Sequence, residues 1–135
     1  MIELANVSKS FGSRRAVDRV SLTIPDHARF ALLGPSGSGK TTLLRLIAGL
    51  EIPDAGTILM DGRLVSSPDY MVPPSARSIG FVFQSAALWP HMTVGDNIRF
   101  ALENFPNGEQ QQRVQSLMER MLILPLAGRY PDQIS

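Results

Sequence analysis

The sequence predicts an α/β fold, a mixed core of short strands around one helix followed by a small helical segment. Three observations predict it. The first half carries short strand-like runs, and a glycine-rich loop stands between an apolar run and an amphipathic helix. After residue 92 the apolar spacing becomes that of helices. The chain has 135 residues, a length that favours one domain. Within it, residues 1–92 read as the core and residues 93–135 as the start of the helical part.

Each element has its own signal. Residues 2–7 are a candidate strand. Val20, Leu22 and Ile24 alternate with Ser21 and Thr23, the pattern of a strand with one solvated face. Pro25-Asp26-His27 is a turn. Residues 28–33 are nearly continuous apolar and predict a buried strand. An amphipathic helix starts at Lys40, with Leu43, Leu44, Ile47 and Leu50 as its apolar face and Gly49 as its stop. Residues 57–60, Asp61-Gly62 and residues 63–65 predict a β-hairpin, because Asp-Gly suits a tight primed turn. Residues 66–76 are a Pro- and Ser-rich loop, and residues 79–83 another apolar strand. Thr93 with Asp96 three residues on is a capping-box pattern opening a helix with Val94, Ile98, Ala101 and Leu102 on its buried face. A second helix is predicted over residues 109–124, with Val114, Leu117, Met118 and Met121 on one side and Pro125 as its end.

Composition narrows the function classes. Hydrophobic residues make up 44% and charged residues 19%, too apolar and too weakly charged for a disordered chain. Without cysteine there is no disulfide framework, no Cys-ligated metal and no Cys nucleophile. The formal net charge of +1 argues against a large electrostatic footprint for nucleic acid. No run approaches the ~18–20 apolar residues of a membrane span, and the start has no signal-peptide pattern. A soluble, cytoplasmic protein is expected. His91 has no partner at ligand spacing and the other histidine is His27, so no protein-based metal site is expected.

Gly34-Pro35-Ser36-Gly37-Ser38-Gly39-Lys40-Thr41 satisfies the phosphate-loop pattern G-x-x-x-x-G-K-[ST]. The glycines allow the backbone to approach a ligand closely, and successive N–H groups wrap its phosphates. The helix that follows offers its positive end to the anion. Lys40 is expected to reach the β- and γ-phosphates, and the Thr41 hydroxyl to ligate Mg²⁺. A glycine-rich turn without a ligand is the plain alternative. Thr57-Ile58-Leu59-Met60-Asp61 mimics an apolar strand ending in a Mg²⁺-binding aspartate, but Gly62 follows and a hairpin turn explains Asp61 more simply.

Residues 30–51, which contain this loop, resemble the nucleotide-binding subunits of ATP-binding cassette (ABC) transporters. So do Ile79-Gly80-Phe81-Val82-Phe83-Gln84, Leu88-Trp89-Pro90-His91-Met92-Thr93-Val94 and Asn97-Ile98. The resemblance covers essentially the whole chain. With Pro73-Pro74 ahead of Arg77, it is nearest to ATPases of importers for sugars, polyamines, oxyanions or ferric iron. It implies a phosphate-loop NTPase core with an antiparallel β subdomain and part of a helical subdomain.

The resemblance also implies roles. Gln84 resembles the Q-loop glutamine that contacts Mg²⁺ and the attacking water; a polar residue ending a strand is the alternative. Phe11 resembles the aromatic that stacks on adenine, where Tyr is commoner; a core Phe is the alternative. Thr42 resembles the residue at the α-phosphate. With Lys40 and Thr41, the backbone of Gly34, Ser36, Gly37, Ser38 and Gly39 completes the implied site. Leu88, Trp89, Pro90, His91 and Met92 fall where the family meets its membrane subunit, and local packing explains them equally well.

The closing residues, Arg129-Tyr130-Pro131-Asp132-Gln133-Ile134-Ser135, resemble the approach to the signature Leu-Ser-Gly-Gly-Gln, with Ile134 and Ser135 as its first two residues. Its Gly-Gly-Gln, the Walker B strand, the catalytic glutamate and the switch histidine are not in the sequence. The chain therefore reads as the first half of a cassette. A subunit of this kind binds ATP and Mg²⁺, pairs with a second nucleotide-binding subunit, and works on permease subunits at the inner face of the cell membrane. These 135 residues are expected to bind nucleotide weakly, turn over negligibly and self-associate through an unpaired sheet edge. Rival readings are a non-transport ABC ATPase, a non-catalytic interaction module and, more weakly, a nucleotide kinase.

Overall fold

The computed structural model describes residues 1–85 and 87–134. They fall into two compact units, Met1–Phe81 and Val82–Ser135. Ser135 of the expected signature pair lies outside the described residues.

The first unit is built on one sheet of five strands in the order β2-β1-β3-β4-β5, all pairings antiparallel. β1 (Ile2–Phe11) and β2 (Arg14–Ile24) form a long hairpin closed by Gly12-Ser13, with Phe11 opposite Arg14. Both strands run further than the sequence predicts. Their tip is polar, and three register shifts between Leu4 and Ser10 break the two-residue alternation by which a strand is recognised. β3 (Ala55–Met60) and β4 (Arg63–Ser67) form the expected second hairpin. Asp61 and Gly62 sit at φ 49° and 73°, as a type I′ turn requires. β4 continues through Ser66 and pairs with β5 (Tyr70–Met71), so the expected loop over residues 66–76 is partly strand.

Residues 28–33 and 79–83 form no strand, contrary to expectation. Leu33 is 92% exposed and Val82 95%. Apolar composition expresses a tendency to be buried, whereas a strand also needs a neighbour in register. That neighbour can come from far along a chain in a parallel sheet.

Helix α1 (Lys40–Ala48) lies where predicted. It ends at Gly49, where the N–H groups of Gly49 and Leu50 close on the carbonyls of Leu46 and Arg45. The core gathers Leu4, Val7, Val17, Leu43, Leu46, Ile47, Ile58 and Val65. Leu46 replaces Leu44 on the expected helix face, because Leu43, Leu46 and Ile47 share the i, i+3, i+4 stripe while Leu44 turns outward and is 47% exposed.

Two charged residues tie this unit together. Arg77 is buried, and its guanidinium donates to the carbonyls of Val72 (2.8 Å), Val65 (2.9 Å), Ile47 (2.8 Å) and Leu46 (3.3 Å) and to Ser66 Oγ (2.7 Å). Leu46 and Ile47 lie in the last turn of α1, where the helix dipole is negative and favours a cation. Burial pushes the Arg77 pKa down. Asp54 accepts from the Ser10 N–H at 2.7 Å and from Lys9 Nζ at 3.1 Å. The Ser10 N–H first, and the Lys9 ammonium second, hold its carboxyl below the ordinary aspartate range.

A depressed carboxylate pKa stabilises the fold above its unfolded value, and the effect fades as pH falls through the folded value. Asp54→Asn is therefore expected to cost about 0.5–1 kcal/mol at neutral pH, the scale of an exposed pair. Urea unfolding at pH 7 and near pH ~3, below the ordinary aspartate pKa, checks this. The gap between the two proteins should close in acid; a gap independent of pH would remove the ionic explanation.

In the second unit, Thr93 caps α2 (Val94–Phe100) as the sequence predicts. The Asp96 N–H donates to Thr93 Oγ1 at 3.2 Å, and the Thr93 hydroxyl donates to the Asp96 carboxylate at 2.6 Å. Val94 is buried with Val114 and Met118 of α3 (Asn107–Arg120), and Ile98, Leu102, Ile123 and Ala127 pack around them. Ala101 lies past the end of α2 and is exposed, as are Leu117 and Met121, all three expected to be buried.

α3 also stops before the predicted Pro125. Leu122 turns left-handed at φ 58°, its N–H donates to the Glu119 carbonyl, and the Ile123 N–H donates to that of Met118. This double closure brings Ile123 back onto Met118, so packing ends the helix and Pro125 falls in the next short turn, Leu124–Leu126.

Candidate functional site

Residues 34–39 bring the chain to the start of α1 without a capping side chain. Gly39 is the N-cap at φ 91°, and its carbonyl receives the Leu43 N–H at 2.9 Å. A Cβ on Gly39 would stand 2.1 Å from the Ala16 carbonyl oxygen. Only glycine allows strand β2 to press this closely on the loop. With no side-chain cap, the first-turn N–H groups of α1 remain available to an anion.

Lys40 arches back over its own loop. Its ammonium donates to the carbonyls of Gly34 (2.8 Å) and Pro35 (2.7 Å) and to Ser38 Oγ (3.3 Å). The cleft beside it encloses about 280 Å³. Phe11, Arg14 and Ala16 line it from the β1–β2 hairpin. Gly37 and Gly39 line it from the loop, and Lys40, Thr41 and Thr42 from the helix. Phe11 is half-exposed, and the Lys9 ammonium lies 5.6 Å from the ring centre.

Phe11, Gly37, Gly39, Lys40, Thr41 and Thr42, far apart in part along the sequence, thus meet at one cleft. Gly34 and Ser38 hold the Lys40 ammonium, and Ser36 is exposed in the loop's turn. Gln84 is exposed on a bend of the second unit. In that unit too, Trp89 packs edge-on to Phe100 with centroids 6.0 Å apart. Asn97 fixes the Trp89 backbone, accepting its N–H at 2.7 Å and donating to its carbonyl at 3.1 Å.

Sequence reasoning missed Arg14 and Ala16. The signal was the pair Arg14-Arg15 just across a Gly-Ser turn from Phe11, which is informative only once the hairpin is recognised.

The Thr41 hydroxyl suits a divalent cation that arrives with phosphate. No carboxylate lines the cleft among the described residues, so one protein oxygen would join phosphate and water oxygens around the ion.

Comparison with known proteins agrees with the fold. Residues 17–135 match the family described as ABC transporter. The chain is 51% identical over 136 residues to the sulfate/thiosulfate import ATP-binding protein CysA of Thermosynechococcus vestitus, covering 99% of this chain and 39% of the relative. It is 44% identical over 137 residues to the spermidine/putrescine import ATP-binding protein PotA of Nitrosospira multiformis, covering 100% of this chain and 37% of the relative. The chain thus spans about two-fifths of the length of these curated relatives. Among solved structures, the ATP-binding cassette MJ0796, a dimer in a post-hydrolysis state bound to ADP and Pi, superposes with a TM-score of 0.84 at 28% identity. That likeness covers 100% of this chain and 63% of the other. The expected ABC ATPase fold is borne out, and the chain belongs to the ABC transporter family.

Proposed function

We propose that this chain is the ATP-binding part of an importer's ABC ATPase, taking Mg-ATP in the cleft between the β1–β2 hairpin and the phosphate loop. The observation that carries the reading is the shared cleft of Phe11, Lys40, Thr41 and Thr42 at an uncapped helix start. Phe11 offers an aromatic face to adenine, the loop N–H groups and Lys40 hold the phosphates, and Thr42 meets the α-phosphate. Thr41 would ligate Mg²⁺, which would shield phosphate charge during transfer to water. Gln84, by its place in the family pattern, would serve the metal and the attacking water of a complete cassette through its amide.

The relatives' names, sulfate/thiosulfate and spermidine/putrescine import, support an importer for an oxyanion or a polyamine. The exposed Leu88, Trp89 and His91, on a backbone fixed by Asn97, suit docking to permease subunits. The dimeric neighbour supports pairing with a second nucleotide-binding subunit. Among the described residues no helix is long and apolar enough to cross a membrane, in keeping with a peripheral subunit at the inner face.

Lys40→Ala is expected to weaken Mg-ATP binding by about 1.5–3 kcal/mol, the range of a charged hydrogen bond. Calorimetric titration checks this, and unchanged affinity would undo the assignment.

A further inference from the structure

The cleft holds a second cation that the phosphate-loop pattern does not contain. Arg14 faces Phe11 directly across the Gly12-Ser13 turn, and cross-strand partners of an antiparallel pair project to the same face. The hairpin tip therefore presents an aromatic ring and a guanidinium side by side. Arg14 Nη2 donates to the Gly37 carbonyl at 2.9 Å, which ties the tip to the middle of the phosphate loop. That bond uses one of five N–H donors. Arg14 and Lys40 are the charged side chains lining the cleft, and both are positive.

We propose that Arg14 is a nucleotide-binding residue that contacts the phosphate chain from the hairpin side, opposite the loop, while holding Gly37 in place. The proposal rests on the reading of the cleft as a nucleotide site. Its physical basis is charge. A nucleoside triphosphate is strongly anionic, Lys40 and one divalent cation leave part of that charge uncompensated, and a guanidinium can give two parallel N–H groups to phosphate oxygens. Because Arg14 is exposed, its substitution leaves the core of the unit intact.

The test is titration of the 135-residue chain with Mg-ATP and with adenosine, using wild type, Arg14→Ala, Arg14→Gln, Arg14→Lys and Lys40→Ala. Glutamine keeps a donor for the Gly37 carbonyl and removes the charge, so it separates loop-holding from phosphate contact. Arg14→Ala and Arg14→Gln are expected to lose about tenfold in Mg-ATP affinity and to leave adenosine binding unchanged, whereas Arg14→Lys stays within about threefold of wild type. The loss should shrink as salt rises.

Arg14→Gln binding like wild type while Arg14→Ala is weak would reduce Arg14 to a prop for the loop and overturn the phosphate contact. Equal affinity in all four Arg14 forms, with Lys40→Ala still weakened, would overturn the proposal and leave the nucleotide reading standing. Wild type binding no better than Lys40→Ala would overturn both.

Discussion

Arg77→Ala is expected to destabilise the first unit by about 3 kcal/mol or more. Arg77 is 7% exposed, and its guanidinium serves the carbonyls of Leu46, Ile47, Val65 and Val72 together with Ser66 Oγ. Each acceptor left dry by the truncation loses a partner worth about 1–3 kcal/mol to a buried polar group, offset where water follows into the gap. The two helix carbonyls also lose the cation at the negative end of their dipole. Arg77→Lys should recover only part of the loss, because three donors on a point charge cannot reach the spread of acceptors that a planar fork serves. Urea unfolding followed by circular dichroism gives the number. A loss below about 1 kcal/mol, the level of ordinary surface substitutions, would show that the network contributes little.

Gly39→Ala is expected to be damaging for a different reason, and to remove nucleotide binding with it. At φ 91° any side chain is strained, and here the new methyl would also fall 2.1 Å from the Ala16 carbonyl oxygen, a backbone atom that cannot swing aside. Strain at such a dihedral costs about 1–3 kcal/mol, and forced displacement of packed backbone about as much again. Gly62→Ala is the control. Its φ is 73°, but nothing lies within 4 Å of the added methyl, so only the dihedral cost of about 1 kcal/mol applies. Unfolding curves of the two variants, with Mg-ATP titration of each, separate crowding from conformation. Equal stability losses would mean that β2 and the loop do not press on each other as described.

The legible parts of this chain are those whose cause is local. The phosphate loop is readable because phosphate wrapping needs small residues and one lysine at fixed offsets within eight positions. Asp61-Gly62 encodes its turn because both positions take positive φ. Thr93 and Asp96 announce the start of α2 because the cap accepts from a backbone N–H only three residues away.

Elsewhere the deciding partner is distant. In the sequence Arg77 resembles any surface arginine, and only the folded chain surrounds it with acceptors from α1, β4 and Val72. The end of α3 is set by Ile123 returning to Met118, not by the proline that composition would nominate.

The sequence by itself therefore determined the phosphate-loop pattern, the family, the starts of α1 and α2 and the second hairpin, since each depends on spacing over a few residues. The tertiary structure alone decided that the hairpin tip reaches the phosphate loop and brings Phe11 and Arg14 to Lys40. It also decided that Leu46 rather than Leu44 enters the core, and that residues 28–33 lie outside the sheet. The physical reason is common to all three. Burial and strand pairing are relations between distant segments, and the free energy that selects them belongs to the pair rather than to either member.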